Sequence, residues 1–437
     1  MKLEDNKLLN FAINIIANIY SKIFKEKSGP ATKEFIKKVI FIFIGTGIAK
    51  SIILVFNLIG GRVTGPEIYG KFSLILSVTE ILVIPIGIGV LTGVIKNLAE
   101  TPDLKNRKSL ISTAFNFQVL TILILIPLYY LFHGILSSAL KIEPTVFILA
   151  IILSIFWSFN TLSETILQGL HRQVHYAIFL SISHIIPLFV FVYFLIIDNT
   201  ELMILYLPFI LVLFLFSIIS LISTKKFIKI GLISKKHFHK LFEYGIIAFF
   251  LYILTTFLGN VDRIMINYLL ATSDLGIYQA YYTASISIVG ILAGVFIKVL
   301  FPTAVKLKDP KGFTKKLDKL SLISFPIILL VSPAIIWIFL YIYNYPFSLM
   351  TAALFAIATT IDLIVVLYST LLNAQGTQFI KKTLIGLGVA FLVNIPLNYV
   401  LIGWYGINGA IMSTGFSFFL LFVYLRYSLS KIKEKKK

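Results

Sequence analysis

Long apolar runs alternate with short polar stretches between residues 39 and 427. About 20 consecutive apolar residues are enough for a helix to cross the hydrocarbon core of a bilayer. The pattern predicts an all-α polytopic membrane protein with twelve transmembrane helices, arranged as two six-helix repeats. The predicted spans are 39–60, 72–96, 110–132, 145–168, 174–197, 202–223, 241–261, 277–301, 319–341, 347–373, 380–402 and 407–427.

Short motifs recur between the first six spans and the last six. Tyr69, near the start of the second span, corresponds to Tyr278, and Pro187 in the fifth span corresponds to Pro396. Both pairs are 209 residues apart, because 278 − 69 and 396 − 187 give the same value. Internal duplication is the usual organisation of transporters, with the substrate path between the halves. We therefore predict two homologous halves, at residues 39–223 and 241–427.

Polar and basic segments flank these halves. Residues 1–38 form a tail whose amphipathic segment Leu8–Phe24 is interrupted by Asn and Lys, which favours an interfacial helix over an inserted span. Residues 224–240 form a basic linker, which we expect to be a solvated cytoplasmic loop. Residues 428–437 form a second basic tail.

A polar, glycine-rich segment, residues 56–73, separates the first two spans. Its Gly65-Pro66 pair is typical of a turn, because glycine reaches positive φ and proline fixes φ near the value that turns use. We therefore predict that the first two spans meet at a tight turn.

Composition and charge support the membrane class and set an orientation. The 437 residues are 58% hydrophobic, with a mean hydropathy of +0.95, whereas soluble domains are roughly 45–50% apolar. With the N-terminus inside, 34 of the 39 Lys and Arg residues fall on the inner side and 4 on the outer side. Cytoplasmic loops are enriched in these residues, so we predict a plasma-membrane protein with both termini in the cytoplasm. The net charge of +20 then reflects topology and attraction to anionic membrane lipids, not nucleic-acid binding.

Charged and polar residues nevertheless occur inside several predicted spans. A charged residue at the bilayer centre costs roughly 2.5–3.5 kcal/mol, so such side chains normally face protein or a water-filled cavity. The first two spans of each half carry polar faces that we expect to line a common cavity. The predicted substrate-binding residues are Lys50, Asn57, Arg62, Asp262, Arg263, Tyr278 and Tyr282.

Lys50 lies in the middle of the first span, on one helical face with Thr46 and Asn57. An ammonium group in a low dielectric attracts phosphate strongly, so we predict that Lys50 binds an anionic part of the substrate. The alternative is a permanent ion pair with Glu80 or Asp262 that only orders the bundle. For Asp262 and Arg263, the alternative is a simple charge pair at the outer boundary.

Two deep carboxylates, Glu80 and Asp362, are candidates for coupling transport to H⁺ or Na⁺. Asp362 has no cationic neighbour in its own helix, and a packing role is the alternative. His171 and His175 are spaced like a metal pair, but they lie in a short turn without a third ligand. We predict no metal site, no cofactor and no enzymatic activity, since the sequence contains no nucleotide-binding loop or nucleophile constellation. The chain also has no cysteine, and hence no thiol chemistry.

The motifs resemble a known family across residues 39–427. They are a lysine in the first span, the segment GGRVTGPEIYGKFSLI, and the segment GNVDRIMINYLLATSDLGIYQAYY in the second half. This order resembles the Wzx-type oligosaccharide flippases, or polysaccharide biosynthesis proteins, of the multidrug/oligosaccharidyl-lipid/polysaccharide (MOP) exporter superfamily. Lys50 and Asp262 match the family's charged positions in the first and seventh spans, and Arg62 matches a basic position that shifts between members.

The resemblance implies a six-plus-six bundle with a central cationic cavity. It implies that the protein moves polyprenyl-(di)phosphate-linked oligosaccharide from the cytoplasmic to the outer leaflet by alternating access. Its partners would be glycosyltransferases and a polymerase or ligase, in surface polysaccharide or glycoprotein assembly. The alternative is a cation-coupled, MATE-like multidrug exporter of the same superfamily, against which the mid-membrane Lys50 argues.

Overall fold

A computed structural model of the chain describes Asn14, Asn18 and residues 29–231, 233–287 and 310–431. The side chains of residues 30–50 lie outside this description, and with them those of Thr46 and Lys50. The amphipathic segment Leu8–Phe24 lies outside it apart from Asn14 and Asn18.

Within these ranges the protein consists of helices joined by short turns and loops, without a strand. The described helices are α1 (Pro30–Gly87), α2 (Val90–Glu100), α3 (Leu104–Ala139), α4 (Pro144–Gly169), α5 (Gln173–Ser183), α6 (Ile185–Ile196), α7 (Met203–Thr224), α8 (Lys235–Leu269), α9 (Thr272–Tyr282), α10 (Pro310–Tyr343), α11 (Leu349–Asn373), α12 (Thr377–Tyr405) and α13 (Ile407–Ser430). A 3-10 turn, Lys225–Phe227, follows α7, and a π-helical turn, Thr283–Ser287, follows α9.

Ten helical stretches among the described residues are long and apolar enough to cross a membrane. Nine of them correspond one to one to predicted spans, and the tenth, Ser51–Gly87, contains the end of the first span and most of the second. The predicted eighth span, 277–301, lies outside the described residues from residue 288 onward. The all-α membrane class is therefore confirmed, and the count of twelve stays a prediction.

Helix α1 consists of two arms that fold back on each other at Gly65. That residue has φ 75° and ψ 172°, outside the helical region, and Pro66 follows it. Sixteen residues of straight helix would span about 24 Å. Yet the rings of Phe56 and Phe72, on either side of the turn, are only 6.4 Å apart. The predicted turn is confirmed, and it brings the first two spans face to face.

The predicted fifth span, 174–197, corresponds to the apolar helical stretch Val174–Ile196. It is divided at His184 into α5 and α6, three residues before Pro187. Proline has no N–H and its ring clashes with the carbonyl four residues earlier, so a break here is expected. The predicted second span, 72–96, is likewise interrupted at Gly89, whose φ is 66°.

The order of the helices repeats along the chain. Helix α4 begins at Pro144 and α11 at Leu349, which are 349 − 144 = 205 residues apart, and the helices that follow them keep nearly this spacing. We call residues 39–223 the first half and residues 241–427 the second half, and their origin by duplication stays a prediction. The residue-by-residue superposition of Tyr69 on Tyr278 stays a prediction.

The two halves meet backbone to backbone at both ends of the bundle. We call the end with the Gly65 turn the turn end and the end with residues 224–240 the linker end. At the turn-end crossing, a Cβ on Gly276 would lie 1.8 Å from the carbonyl oxygen of Pro66. At the linker-end crossing, a Cβ on Gly245 would lie 1.4 Å from the carbonyl oxygen of Gly89. Only glycine permits such close approaches, so the backbones of the two halves are in contact at one crossing near each end.

Most described residues of the linker are exposed, as expected for a solvated loop, but its first turn packs against the first half. Phe227 is 6% exposed and packs against apolar residues of α2, α3 and α4. Ser112 on α3 donates to the Phe227 carbonyl oxygen at 3.0 Å, and Asn116 donates to that of Lys229 at 2.8 Å. The polar face of α3 therefore satisfies the linker backbone and holds it against the first half. Helix α8 begins at Lys235, six residues before the predicted span.

Candidate functional site

A guanidinium group lies buried where the two halves face each other. Arg263, on α8, is 8% exposed. Its Nε donates to Gln279 Oε1 at 2.8 Å, and its Nη1 donates to the carbonyl of Gly259 and to Asn260 Oδ1, the latter at 3.4 Å. The aromatic ring of Tyr282 lies 4.1 Å from the guanidinium carbon, in a cation–π contact. Among the described residues no carboxylate is within ion-pairing distance, and the hydrogen-bond partners described for the guanidinium are all neutral.

Two hydrogen bonds tie this group to the second arm of α1. Ser73 Oγ donates to Gln279 Oε1 at 3.0 Å, so Gln279 accepts from both halves. About two helical turns after Ser73 on α1, Glu80 Oε2 accepts from Asn260 Nδ2 at 2.7 Å. The result is a continuous polar network between the halves, from Ser73 through Gln279, Arg263 and Asn260 to Glu80.

Asp262 is adjacent to Arg263 in sequence but lies in a different environment. It is 5% exposed, and its Oδ2 accepts from Tyr278 at 2.7 Å and from Thr414 at 2.6 Å. Its Oδ1 accepts from Asn398 Nδ2 at 2.9 Å. Three donors from α9, α12 and α13 thus satisfy the buried carboxylate inside the second half. Asp262 and Arg263 form no described ion pair with each other, because neighbouring residues of a helix do not face each other, and their role as a charge pair at the outer boundary stays untested.

The predicted binding residues fall into separate groups. Tyr278 is buried against Asp262 and Phe355, with ring centres 5.3 Å apart for the two aromatics, so it is not free to stack on a sugar in this conformation. Arg62 is exposed at the turn end, where it donates to the Ile342 carbonyl oxygen at 3.0 Å. Arg263 and Tyr282 share one space between the halves, Asn57 is connected to them through the hydroxyl of Tyr69, and the side chain of Lys50 is outside the description.

The cationic cavity that the resemblance implies stays a prediction, because the side chain of Lys50 lies outside the described part of the chain. Besides Asp262, the half-buried carboxylates of Glu80 and Asp362 both lie within electrostatic range of Tyr282. Among the described side chains, Arg263 is the cation that faces them. The binding and ion-coupling roles of all these residues stay predictions.

Sequence reasoning missed several members of the network. The Tyr69 hydroxyl lies 3.2 Å from Asn57 Oδ1, 3.3 Å from Thr283 Oγ1 and 3.0 Å from the Tyr343 hydroxyl. This hydroxyl joins both arms of α1 to the second half. From the sequence, Tyr69 was noted only as a residue that corresponds to Tyr278 in the second half. Gln279 directly follows Tyr278, and it could have been singled out from the sequence as a polar residue inside the predicted eighth span. Within the described ranges, no group of three or more potential ligands is placed to hold a metal ion.

Solved structures with this helical arrangement are transporters of the MOP superfamily. An inward-facing multidrug resistance MATE family transporter matches with a TM-score of 0.63 and 13% identity, over 87% of this chain and 94% of that chain. The lipid II flippase MurJ, in an inward closed conformation, matches with a TM-score of 0.59 and 17% identity, over 90% and 88%. A MOP transporter from Pyrococcus furiosus, described as having a binding pocket of reverse polarity, gives 0.60 and 13%, over 90% and 96%. At sequence identities of 13–17%, the structural similarity shows the fold alone.

The family is shown by the sequence. The family model for polysaccharide biosynthesis protein matches residues 35–308, which is more than half of the chain. The chain belongs to the polysaccharide biosynthesis protein family. An uncharacterized membrane protein of Methanocaldococcus jannaschii, MJ1068, is 25% identical over 211 residues, and this match covers 46% of the chain and 41% of that protein.

Proposed function

We propose that the protein is a flippase for polyprenyl-(di)phosphate-linked oligosaccharide. It moves this lipid from the cytoplasmic to the outer leaflet by alternating access, for surface polysaccharide or glycoprotein assembly. Glycosyltransferases supply the substrate, and a polymerase or ligase consumes it. The protein lies in the plasma membrane with both termini in the cytoplasm, so the linker end faces the cytoplasm.

The observation that carries the proposal is Arg263, buried between the halves and paired with no described carboxylate. A buried charge is costly unless a counter-charge meets it. A guanidinium has the planar, forked geometry that binds phosphate through two hydrogen bonds. Its present partners are neutral and are replaceable by phosphate oxygens, while the ring of Tyr282 offers an apolar face to a sugar. Lys50 remains the predicted second phosphate ligand, and Arg62 is the predicted basic group near the outer exit.

The two backbone crossings supply the moving parts of the proposed cycle. Separation at the linker-end crossing opens the interior to the cytoplasm, and separation at the turn-end crossing opens it to the outside. Either movement strains the hydrogen bonds Ser73–Gln279 and Glu80–Asn260, since each joins the two halves. Protonation or Na⁺ binding at Glu80 or at Asp362 changes the charge around Arg263, which is how H⁺ or Na⁺ would be coupled to the cycle.

A second function, cation-coupled export of cationic compounds, is favoured by one observation. The described centre contains the carboxylates of Asp262, Glu80 and Asp362 against the guanidinium of Arg263. Acidic groups of this kind attract cations. The satisfied hydrogen bonds of Asp262 argue against this reading, because that carboxylate has little capacity left for a ligand.

Deletion of the gene in its own organism separates the two functions. Loss of a flippase is expected to leave lipid-linked glycan on the cytoplasmic leaflet, protected from glycosidases added outside. A plasmid copy should restore exposure of the glycan, Arg263→Lys should restore part of it, and Arg263→Leu at equal protein level should not. Normal glycan exposure in the deletion strain, together with new sensitivity to cationic dyes, would favour the exporter.

A further inference from the structure

Asn260 lies between an acidic and a basic side chain that belong to different halves. Its Nδ2 donates to Glu80 Oε2 at 2.7 Å, and its Oδ1 accepts from Arg263 Nη1 at 3.4 Å. The residue is 4% exposed, so water does not replace these contacts. Carboxylate and guanidinium are close enough to interact electrostatically, yet they form no ion pair.

The orientation of the amide is fixed by a further contact. Nδ2 also donates to the Thr256 carbonyl oxygen, one helical turn earlier on α8, at 2.9 Å. Both amide hydrogens are thereby used, one within the helix and one across the interface. The donor side must face Glu80 and the acceptor side must face Arg263. Asparagine therefore acts as a polar spacer with one permitted direction.

A direct pair between the two charged groups would otherwise be expected. Opposite charges attract strongly in a low dielectric, and a carboxylate matches the fork of a guanidinium as well as a phosphate does. Such a pair would neutralise the cation and block its hydrogen-bonding face. The ring of Tyr282 covers another side of the guanidinium, so few directions remain for an incoming anion.

We propose that Asn260 is a positioning residue that keeps Glu80 from neutralising Arg263, so that the guanidinium stays available to the diphosphate of an isoprenyl carrier. This inference rests on the proposed function, which supplies the anion. It assigns a task to the asparagine of the GNVDR segment. Replacing the spacer lets the carboxylate compete with the ligand, and removing the carboxylate as well relieves that competition.

The test is a titration of the purified full-length protein with farnesyl diphosphate, followed by ligand-induced thermal stabilisation, with farnesol as the uncharged reference. Asn260→Leu should weaken binding of the diphosphate by about tenfold or more and leave farnesol unaffected. The double variant Asn260→Leu/Glu80→Gln should recover most of the lost affinity. Asn267→Leu, which removes another buried amide of α8 near the turn end, is the matched control and should lower stability without changing diphosphate affinity.

Asn260→Asp keeps the shape of the asparagine side chain, so it provides a second test if the leucine variant does not fold. Its carboxylate would itself neutralise Arg263, so it should weaken diphosphate binding, and Glu80→Gln should not restore it. Wild-type affinity in either Asn260 variant, or no recovery in the leucine double variant, would overturn the inference. If the wild-type protein binds farnesyl diphosphate but does not translocate a lipid-linked oligosaccharide, the proposed function fails. The spacer role of Asn260 is then still tested by the diphosphate affinities of the variants.

Discussion

Adding one methyl group at either backbone crossing should push the protein toward opening at that end. In Gly276→Ala the new Cβ would lie 1.8 Å from the Pro66 carbonyl oxygen, and in Gly245→Ala it would lie 1.4 Å from that of Gly89. Both obstacles are backbone atoms, which cannot rotate away. The helices must therefore separate, at the turn end in the first variant and at the linker end in the second.

The size of the effect follows from these distances. Cβ atoms essentially never approach closer than 3.0 Å, so α9 and α1 must part by at least 3.0 − 1.8 = 1.2 Å in Gly276→Ala. The corresponding movement in Gly245→Ala is 3.0 − 1.4 = 1.6 Å. Overpacking of this kind costs about 1–3 kcal/mol, and only in states where the crossing is closed. That energy shifts a two-state equilibrium by about 5–150-fold.

Spin-label distances measure the shift at each end separately. The chain has no cysteine, so labels attach only at introduced positions. One pair, Glu67→Cys with Asp274→Cys, reports on the turn end, and another, Ala99→Cys with Lys240→Cys, reports on the linker end. Gly276→Ala should lengthen the first distance and leave the second short, and the other variant should do the reverse.

A control comes from a glycine that is not in a close crossing. A Cβ on Gly388, in α12, would meet only a leucine methyl at 3.9 Å, so Gly388→Ala should leave both distances unchanged. The reasoning is refuted if the two crossing variants shift the same distance, or if neither changes a distance while the protein remains folded.

Three further substitutions test individual contacts by thermal unfolding. Tyr69→Phe removes a hydroxyl that contacts both halves and should destabilise the protein by about 1–3 kcal/mol. Tyr405→Phe, at an exposed position, should not, and equal unfolding midpoints for the two variants would count against a stabilising role of the Tyr69 hydroxyl. Thr414→Val removes a donor to the Asp262 carboxylate and should cost about 1.5–3 kcal/mol, with Thr414→Ser close to wild type; a stable valine variant would argue against this environment. Phe227→Ala should lower the free energy of unfolding by about 3–5 kcal/mol if the Phe227 ring is packed against the first half, and by almost nothing if that ring is solvated.

The sequence predicted the fold well because hydropathy and turn chemistry are local properties. Apolar runs specified the spans, and Gly65-Pro66 specified the reversal within α1, since both signals depend on neighbouring residues. Pro187 indicated a kink, but not that the helix would divide at His184. The packing of Phe227 was not predicted, because the charge of the linker is visible in the sequence, whereas the polar face of α3 that binds the linker backbone is not.

The site was predictable as a set of residue types but not as an arrangement. The cost of charge in a membrane singled out Asp262 and Arg263, and both are buried. Their opposite environments depend on which helices pack against each side of α8, and no periodicity in α8 encodes that. For the same reason Tyr278 looked like a ligand for sugar but serves Asp262, and the spacer role of Asn260 could not be seen before its two partners were placed.

Translocation by the purified protein in vesicles tests the central claim most directly. The full chain is reconstituted in liposomes that contain a fluorescent polyprenyl-diphosphate oligosaccharide in both leaflets, and a membrane-impermeant reductant is added outside. A flippase should bring the inner-leaflet population to the reductant, so that fluorescence falls well below the level reached in protein-free liposomes, and Arg263→Leu should abolish this fall. Fluorescence that stops at the protein-free level, with wild-type protein correctly folded and inserted, would contradict the account.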